Sequence, residues 1–117
     1  MTRELALRPL TDDDLSFLRE VYASTREDEL RGVAWSTEER TQFLEMQFRA
    51  QHAHYQRHFA DASFDIVELD GVPVGRLYVH RGDEEVRIVD IALLAEYRNR
   101  GIGAELLSAI LDEAEAA

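Results

Sequence analysis

The stretch Arg98-Asn99-Arg100-Gly101-Ile102-Gly103-Ala104 decides how the rest of this sequence is interpreted. It follows a predicted strand at residues 86–94 and opens a predicted helix that runs to the last residue. The first turn of a helix presents N–H groups without intrahelical acceptors, and the helix dipole adds partial positive charge there. The two glycines let an anion approach the backbone closely, and the arginines match a phosphate in charge. We therefore predict a loop that binds a phosphorylated ligand.

Two widespread phosphate loops do not fit this stretch. The dinucleotide fingerprint needs a third glycine, where this chain has Leu106, and a further strand with an acidic residue. The Walker loop needs a lysine followed by serine or threonine, and the chain contains no lysine. The pattern that remains is Arg/Gln-x-x-Gly-x-Gly/Ala, which Arg98, Gly101 and Gly103 match. An ordinary strand-to-helix turn with surface arginines is the alternative.

Composition excludes several classes of function. The chain has 117 residues, enough for one domain, and 45% of them are hydrophobic. It has no cysteine, so disulfides, thiolate nucleophiles and thiolate metal sites are excluded. The net charge of −11 would repel nucleic acid. No apolar run has membrane-spanning length and the N-terminus does not have the pattern of a signal peptide, so we expect a cytoplasmic protein without a membrane partner.

The remaining residues predict one order of elements, β-α-α-β-β-β-α, and therefore an α/β fold. Thr11 is predicted to cap the first helix, and Ser36 with Glu39 forms a capping box before the second. Asp70-Gly71 predicts the tight turn of a hairpin. The predicted strands are residues 4–10, 63–69, 72–80 and 85–94, with a polar connection at 26–35. We find no repeat or linker, so residues 1–117 are predicted to form a single domain.

With this context, the stretch Leu93-Leu94-Ala95-Glu96-Tyr97-Arg98-Asn99-Arg100-Gly101-Ile102-Gly103 resembles the coenzyme A pyrophosphate loop of the GNAT superfamily of N-acetyltransferases. The resemblance covers essentially the whole chain, in the order first strand, two helices, antiparallel meander and coenzyme-binding helix. It implies a mixed, mostly antiparallel sheet and acetyl-CoA as the co-substrate, with no metal.

The resemblance also implies which residues hold the coenzyme. The pyrophosphate would be bound by the glycine loop and the residues that flank it: Arg98, Asn99, Arg100, Gly101, Ile102, Gly103 and Ala104. The pantetheine arm would bond to the backbone of the fourth strand at Ile91, Ala92 and Leu93. Leu106, Leu107 and Ile110 are expected to bury against the sheet.

Family domains usually continue with a fifth strand, a fourth helix and a final hairpin, whereas this sequence stops at Ala117. We therefore expect the N-terminal two-thirds of the usual domain, with one wall of the pantetheine slot missing. A fourth strand with a free edge also tends to pair with another chain. A natural or cloned fragment and a homodimer joined through this edge are both compatible with the sequence.

The catalytic groups are predicted less directly. Several family members carry a glutamate base in the fourth strand, where this chain has Arg87. Asp90 is the candidate base by its position, with a salt bridge as the alternative role. The family's usual acid, a tyrosine of the fourth helix, has no counterpart, and Tyr97 is expected to pack.

The acceptor side is predicted from residues near the two helices. Tyr22, Arg26 and Trp35 are the candidate substrate-binding residues, although most aromatic side chains of this region are expected in the core. His54 and His58 have the spacing of a metal-binding pair, but no third ligand is evident and a solvated helix face is expected.

The resemblance implies an enzyme that transfers an acetyl group from acetyl-CoA to a primary amine of a small molecule or a peptide. The alternative is a truncated, non-catalytic fold that binds coenzyme A or serves as an assembly module. A plain scaffold without a ligand would leave the arginine-flanked glycine loop unexplained.

Overall fold

A computed structural model of the chain describes residues 3–116 and places them in one four-stranded sheet with three helices. In chain order the elements are β1 (Leu5–Pro9), α1 (Leu15–Leu30), α2 (Thr37–His58), β2 (Ser63–Leu69), β3 (Val72–Arg81), β4 (Val86–Leu93) and α3 (Ile102–Ala116). Short 3-10 turns at Asp12–Asp14 and Ala95–Tyr97 precede α1 and follow β4. None of these helices combines the length and apolar character needed to cross a bilayer.

The sheet has the strand order β1-β2-β3-β4, and each neighbouring pair is antiparallel. This arrangement confirms the predicted α/β class and the predicted order of elements. Each strand pairs with its neighbour in the sequence, so within residues 3–116 β1 and β4 form the two edges of the sheet. The edge strand β4 leads through the 3-10 turn at Ala95–Tyr97 into the glycine loop, which is followed by α3.

Helices cover both faces of the sheet. On one face α3 presents a stripe of residues spaced four apart, Ile102, Leu106 and Ile110, against β2 and β3. The other face packs against α1 and α2 through Leu18, Tyr22, Phe48 and Ile66. Leu107 lies off the α3 stripe and is 39% exposed, so the prediction that it buries against the sheet is wrong.

The first helix is longer than the sequence predicted. The predicted polar connection began at Arg26, but α1 continues to Leu30. Arg26 bonds to the Tyr22 hydroxyl at 2.7 Å, four residues back, and to Glu29 at 2.8 Å, three residues on. Side chains at these spacings stabilise the helical turns that connect them. Residues 26–30 therefore belong to the helix and not to a loop.

The predicted capping box at the start of α2 and the predicted hairpin turn are both confirmed. The Ser36 hydroxyl accepts the Glu39 N–H at 3.1 Å, and the Glu39 carboxylate accepts the Ser36 N–H at 3.2 Å. Asp70 and Gly71 both have positive φ, which fits a tight turn between β2 and β3.

The pairing of β3 with β4 contains a bulge that the sequence did not predict. Tyr78 pairs with Asp90, whereas the next residue, Val79, pairs with Ile88. The extra residue Val89 reverses the alternation of side chains, so Ile88 and Ile91 both pack on the α3 face. Asp90 is thereby directed to the face that α1 and α2 cover.

Acid stability of this fold is expected to depend on Asp14. Arg8 bonds to both carboxylate oxygens at 2.9 Å, and these bonds lower the pKa of Asp14 from 3.8 to about 2. Because the folded-state pKa lies below the unfolded one, the stabilisation is present above pH ~4 and is lost as the pH falls toward ~2. Asp14→Asn should lower the free energy of unfolding at pH 7 by about 1 kcal/mol, since Arg8 is partly exposed.

Urea unfolding of the wild type and Asp14→Asn between pH 7 and pH 2 measures this contribution. We expect the two free energies of unfolding to converge at the acid end. Asp12→Asn, an exposed carboxylate of the same turn, is the matched control. An equal difference at every pH would show that the Asp14 charge does not stabilise the fold.

Candidate functional site

A cleft of about 410 Å³ opens beside the free edge of β4, between α1 and the beginning of α3. Its walls are built from all three elements and from the loop between β4 and α3: Thr25, Ile91, Ala92, Leu93, Arg98, Gly103 and Leu107. Five of these seven residues are predicted coenzyme contacts. The fold therefore brings the fourth strand and the glycine loop, which were predicted separately, to a single cleft.

The hydrogen-bond ladder decides which backbone groups of β4 face this cleft. The Leu94 N–H donates to the Val74 carbonyl of β3, whereas the Leu93 carbonyl accepts a bond from Arg98 on the open side. Backbone groups of an antiparallel strand alternate in direction from one residue to the next. Ile91 and Leu93 therefore present N–H and C=O to the open side, while Ala92 directs its backbone groups to β3 and lines the cleft beside them.

Two residues of the glycine loop before α3 have a left-handed backbone conformation. Asn99 has φ 62° and Gly101 has φ 80°, a conformation that glycine adopts without cost. The Glu105 N–H donates to the Gly101 carbonyl at 3.0 Å and begins the helical ladder. The N–H groups of Ile102, Gly103 and Ala104 precede this bond and have no acceptor within the helix. Such a helix end is suited to bind an anion, and Gly103 places it beside the cleft.

Three arginines surround this helix end. Arg98 lines the cleft, and Arg100 packs over the Tyr97 ring at 5.7 Å. Arg3 donates to the Arg100 carbonyl at 2.7 Å and pairs with Glu105 at 3.2 Å. Sequence reasoning missed Arg3, because it lies 97 residues before the loop that it contacts. Tyr97 packs against the α3 side of the core, as predicted.

Asp90, the predicted base, belongs to a network between the sheet and α2. Arg76 donates to both Asp90 oxygens at 3.0 and 3.1 Å, and the Tyr55 hydroxyl donates to Oδ2 at 2.7 Å. Gln51 accepts a further bond from Arg76 at 2.9 Å. Burial and the bond to Asp90 raise the pKa of Tyr55 to about 12, so its hydroxyl keeps its proton at neutral pH. The structure thus gives Asp90 a salt bridge whose partner, Arg76, is only 4% exposed.

The three candidate acceptor residues lie in one cluster around Phe43 of α2. The Arg26 guanidinium stands over the rings of Tyr22 and Phe43 at 5.8 and 5.7 Å, and Trp35 meets Phe43 edge-on at 4.9 Å. Tyr22 is 5% exposed, whereas Trp35 is 37% exposed. Of the three, Arg26 and Trp35 are therefore the more accessible to a second substrate.

Two cleft residues, Thr25 and Leu107, were not predicted to line it. Thr25 lines the cleft, and its hydroxyl donates to the Tyr22 carbonyl at 2.7 Å, a bond that does not use the acceptor lone pairs of the hydroxyl. The exposure of Leu107 has its explanation here, because the side chain forms part of the cleft wall. The hydrophobic periodicity of α3 contained a signal for this, since Leu107 breaks the four-residue spacing of the buried stripe.

The histidine pair of α2 does not belong to this site. His54 and His58 have ring centroids 4.4 Å apart and lie on the exposed side of the helix. Among the side chains that the structure describes, no three metal-ligating groups are close enough to hold an ion.

Solved structures with a similar fold include several acetyltransferases. The PaiA N-acetyltransferase of Thermoplasma acidophilum, solved with coenzyme A, is 18% identical with a TM-score of 0.62, over 93% of this chain and 70% of that one. An acetyltransferase of Thermus thermophilus is 21% identical, with a TM-score of 0.59 and coverages of 95% and 70%. A GCN5-related N-acetyltransferase of Rhodopseudomonas palustris is 23% identical, with a TM-score of 0.60 and coverages of 99% and 69%. At these identities the likeness establishes the fold.

Family membership follows from the sequence match. No curated protein matches the chain in sequence. The acetyltransferase (GNAT) family matches residues 17–117, which include the cleft and the whole glycine loop. The chain therefore belongs to the GNAT family of acetyltransferases.

Proposed function

We propose that the cleft beside β4 binds acetyl-CoA and that the protein transfers the acetyl group to a primary amine. The observation that carries this proposal is the meeting of the β4 edge with the N-terminus of α3 in one cleft. An extended ligand with amides along its length and phosphates at one end matches these two features. The coenzyme A bound to the Thermoplasma protein supports the same choice of ligand.

Different groups of residues would bind different parts of acetyl-CoA. The N–H groups of Ile102, Gly103 and Ala104 bind the pyrophosphate, with Arg98, Asn99, Arg100 and Gly101 around it. The open-side backbone groups of Ile91 and Leu93 bond to the pantetheine amides. The acetyl thioester supplies an activated carbonyl that an amine can attack.

Transfer requires that the amine lose a proton and that the leaving thiolate gain one. Asp90 remains the predicted base, since it directly precedes the strand residues that line the cleft. Both of its oxygens already accept hydrogen bonds, which supports a second role in which Asp90 holds β4 in place. The two roles make different predictions for the Asp90 variants described in the Discussion.

The acceptor is proposed to be the amine of a small molecule or a peptide. It would enter beside Tyr22, Arg26 and Trp35, whose cluster adjoins Thr25 in the cleft wall. The cytoplasmic location and the homodimer remain predictions from the sequence.

Acetyl transfer can be measured on this chain with little background. The protein has no cysteine, so a thiol reagent detects only the coenzyme A that the reaction releases. It has no lysine either, so mass spectrometry of an added amine is not obscured by acetylation of lysine side chains. Amine-dependent thiol release with matching acetylation of the amine would support the proposal.

A non-catalytic role is the alternative, favoured by one specific observation. Within the described residues the outer edge of β4 has no partner strand, and such edges pair with other chains. Coenzyme binding without acetyl transfer to any amine of a broad panel would support a binding or assembly module. Absence of coenzyme binding by the folded chain would contradict the transferase and a coenzyme-binding module, and would leave the assembly module.

A further inference from the structure

We infer that Ser24 of α1 is a positioning residue of the coenzyme site, acting through Arg98 and through the turn that follows β4. The inference rests on the proposed function of the cleft. Neither the glycine-loop pattern nor the match to the family singles out this serine, which lies 74 residues before Arg98.

The Ser24 hydroxyl is shared by two donors from the loop. Its oxygen accepts the Ala95 N–H at 3.1 Å and an Nη2 hydrogen of Arg98 at 3.2 Å. A hydroxyl oxygen has two acceptor lone pairs, so one side chain satisfies both donors. Ala95 is the first residue of the 3-10 turn after β4, and Arg98 is the residue that caps the end of this turn before the glycine loop. The two ends of this turn are therefore both fastened to α1.

Arg98 extends this connection to the edge of the sheet. Its Nε donates to the Leu93 carbonyl at 3.0 Å, while Nη2 reaches Ser24. The guanidinium is planar and its donors have fixed directions, so these two bonds set the orientation of the group. Arg98 in this orientation forms the part of the cleft wall between β4 and α1. Ser24 itself does not line the cleft. It acts by fixing the orientation of Arg98, whose side chain lines the cleft and would contact the ligand.

Loss of the hydroxyl should weaken coenzyme binding and leave the chemical step unchanged. Without the Ser24 hydroxyl, Arg98 and the Ala95 N–H lose a shared hydrogen-bond acceptor and become more mobile. The ligand must then order these groups when it binds, and the entropy cost of this ordering reduces affinity. We expect the Kd for coenzyme A and the KM for acetyl-CoA to rise about tenfold, the size of effect that one hydrogen bond to a charged group produces. The value of kcat should change less than about twofold, because Ser24 touches no reacting atom.

Calorimetric titration of coenzyme A into three variants tests this inference. Ser24→Ala should show the tenfold loss, and Ser24→Thr, which keeps a hydroxyl, should recover most of the affinity. Ser16→Ala, an exposed serine of the same helix, is the control and should bind as the wild type does. Alanine has a higher helix propensity than serine, so α1 is expected to remain intact. Thermal unfolding without ligand checks this directly.

A second comparison separates positioning from a general structural role. If Ser24 acts through Arg98, Ser24→Ala should add little to the loss caused by Arg98→Met in the double variant. Equal coenzyme affinity of Ser24→Ala and wild type would overturn the inference while leaving the coenzyme site intact. A lower melting temperature with unchanged affinity would overturn it too. A folded wild type that does not bind coenzyme A would instead refute the proposed function.

Discussion

Gly103→Val is expected to weaken acetyl-CoA binding at least about a hundredfold, roughly 2.7 kcal/mol, while the protein stays folded. Beyond its own helical turn, a Cβ at Gly103 would meet no protein atom within 4 Å, so the fold has room for the side chain. Gly103 nevertheless lines the cleft at the first turn of α3. The valine methyl groups would fill the space through which a phosphate reaches the helix N–H groups.

A control variant at a second glycine makes this result interpretable. Gly32→Ala adds a methyl group at another glycine with open space, outside the residues that line the cleft, and should bind normally. Gly101→Val is less informative, because Gly101 has φ 80° and a valine there would strain the loop itself. Calorimetry measures the affinities, and circular dichroism checks the folds. Wild-type affinity in Gly103→Val would exclude the end of α3 as the phosphate site.

Asp90→Ala is expected to lower the free energy of unfolding by about 3–5 kcal/mol. The variant leaves the Arg76 guanidinium, which is 4% exposed, without its charged partner. Gln51 still accepts one bond from Arg76, and Tyr55 loses its acceptor. An uncompensated charge at this depth is costly, so the loss should far exceed that of Asp83→Ala, an exposed carboxylate of the β3–β4 turn. Urea unfolding measures both.

Conservative variants distinguish the two proposed roles of Asp90, as the catalytic base and as a residue that holds β4 in place. Asp90→Asn removes the basic group, so a catalytic role predicts a fall in kcat of at least about a hundredfold in protein that remains folded. Tyr55→Phe keeps the carboxylate and removes one of its hydrogen bonds, so it should retain kcat and lose about 1 kcal/mol of stability. Nearly normal kcat in Asp90→Asn would assign Asp90 to holding β4. A stability loss no larger than that of the Asp83 control would contradict the importance of the buried pair.

Local signals explain why most of the fold could be predicted. The capping box of Ser36 and Glu39, the Asp70-Gly71 turn and the four-residue spacing in α3 each involve residues close in sequence. The family match and the similar structures confirm the fold that these signals indicated. The end of α1 was missed because polarity was interpreted as a loop, whereas Arg26 stabilises a continuing helix through Tyr22 and Glu29.

Contacts between distant residues explain what the sequence did not reveal about the site. Arg3 and Ser24 reach the loop from 97 and 74 residues away, and neither belongs to a recognisable motif. The orientation of Asp90 depends on the bulge at Val89. The alternation of polar and apolar residues in the sequence does not predict this bulge. The partners of Asp90, Arg76 and Tyr55, come from β3 and α2, so the salt bridge appears only when the sheet and helix are packed together.

Titration of acetyl-CoA into the wild-type chain tests the central claim most directly. A ligand that binds only the folded state stabilises it by RT ln(1 + [L]/Kd), about 2.7 kcal/mol at a hundredfold excess over Kd. We predict saturable one-to-one binding with a matching rise in melting temperature. Adenosine, which lacks both the pyrophosphate and the pantetheine arm, should produce neither effect. A folded chain that acetyl-CoA neither binds nor stabilises would contradict the assignment of the cleft.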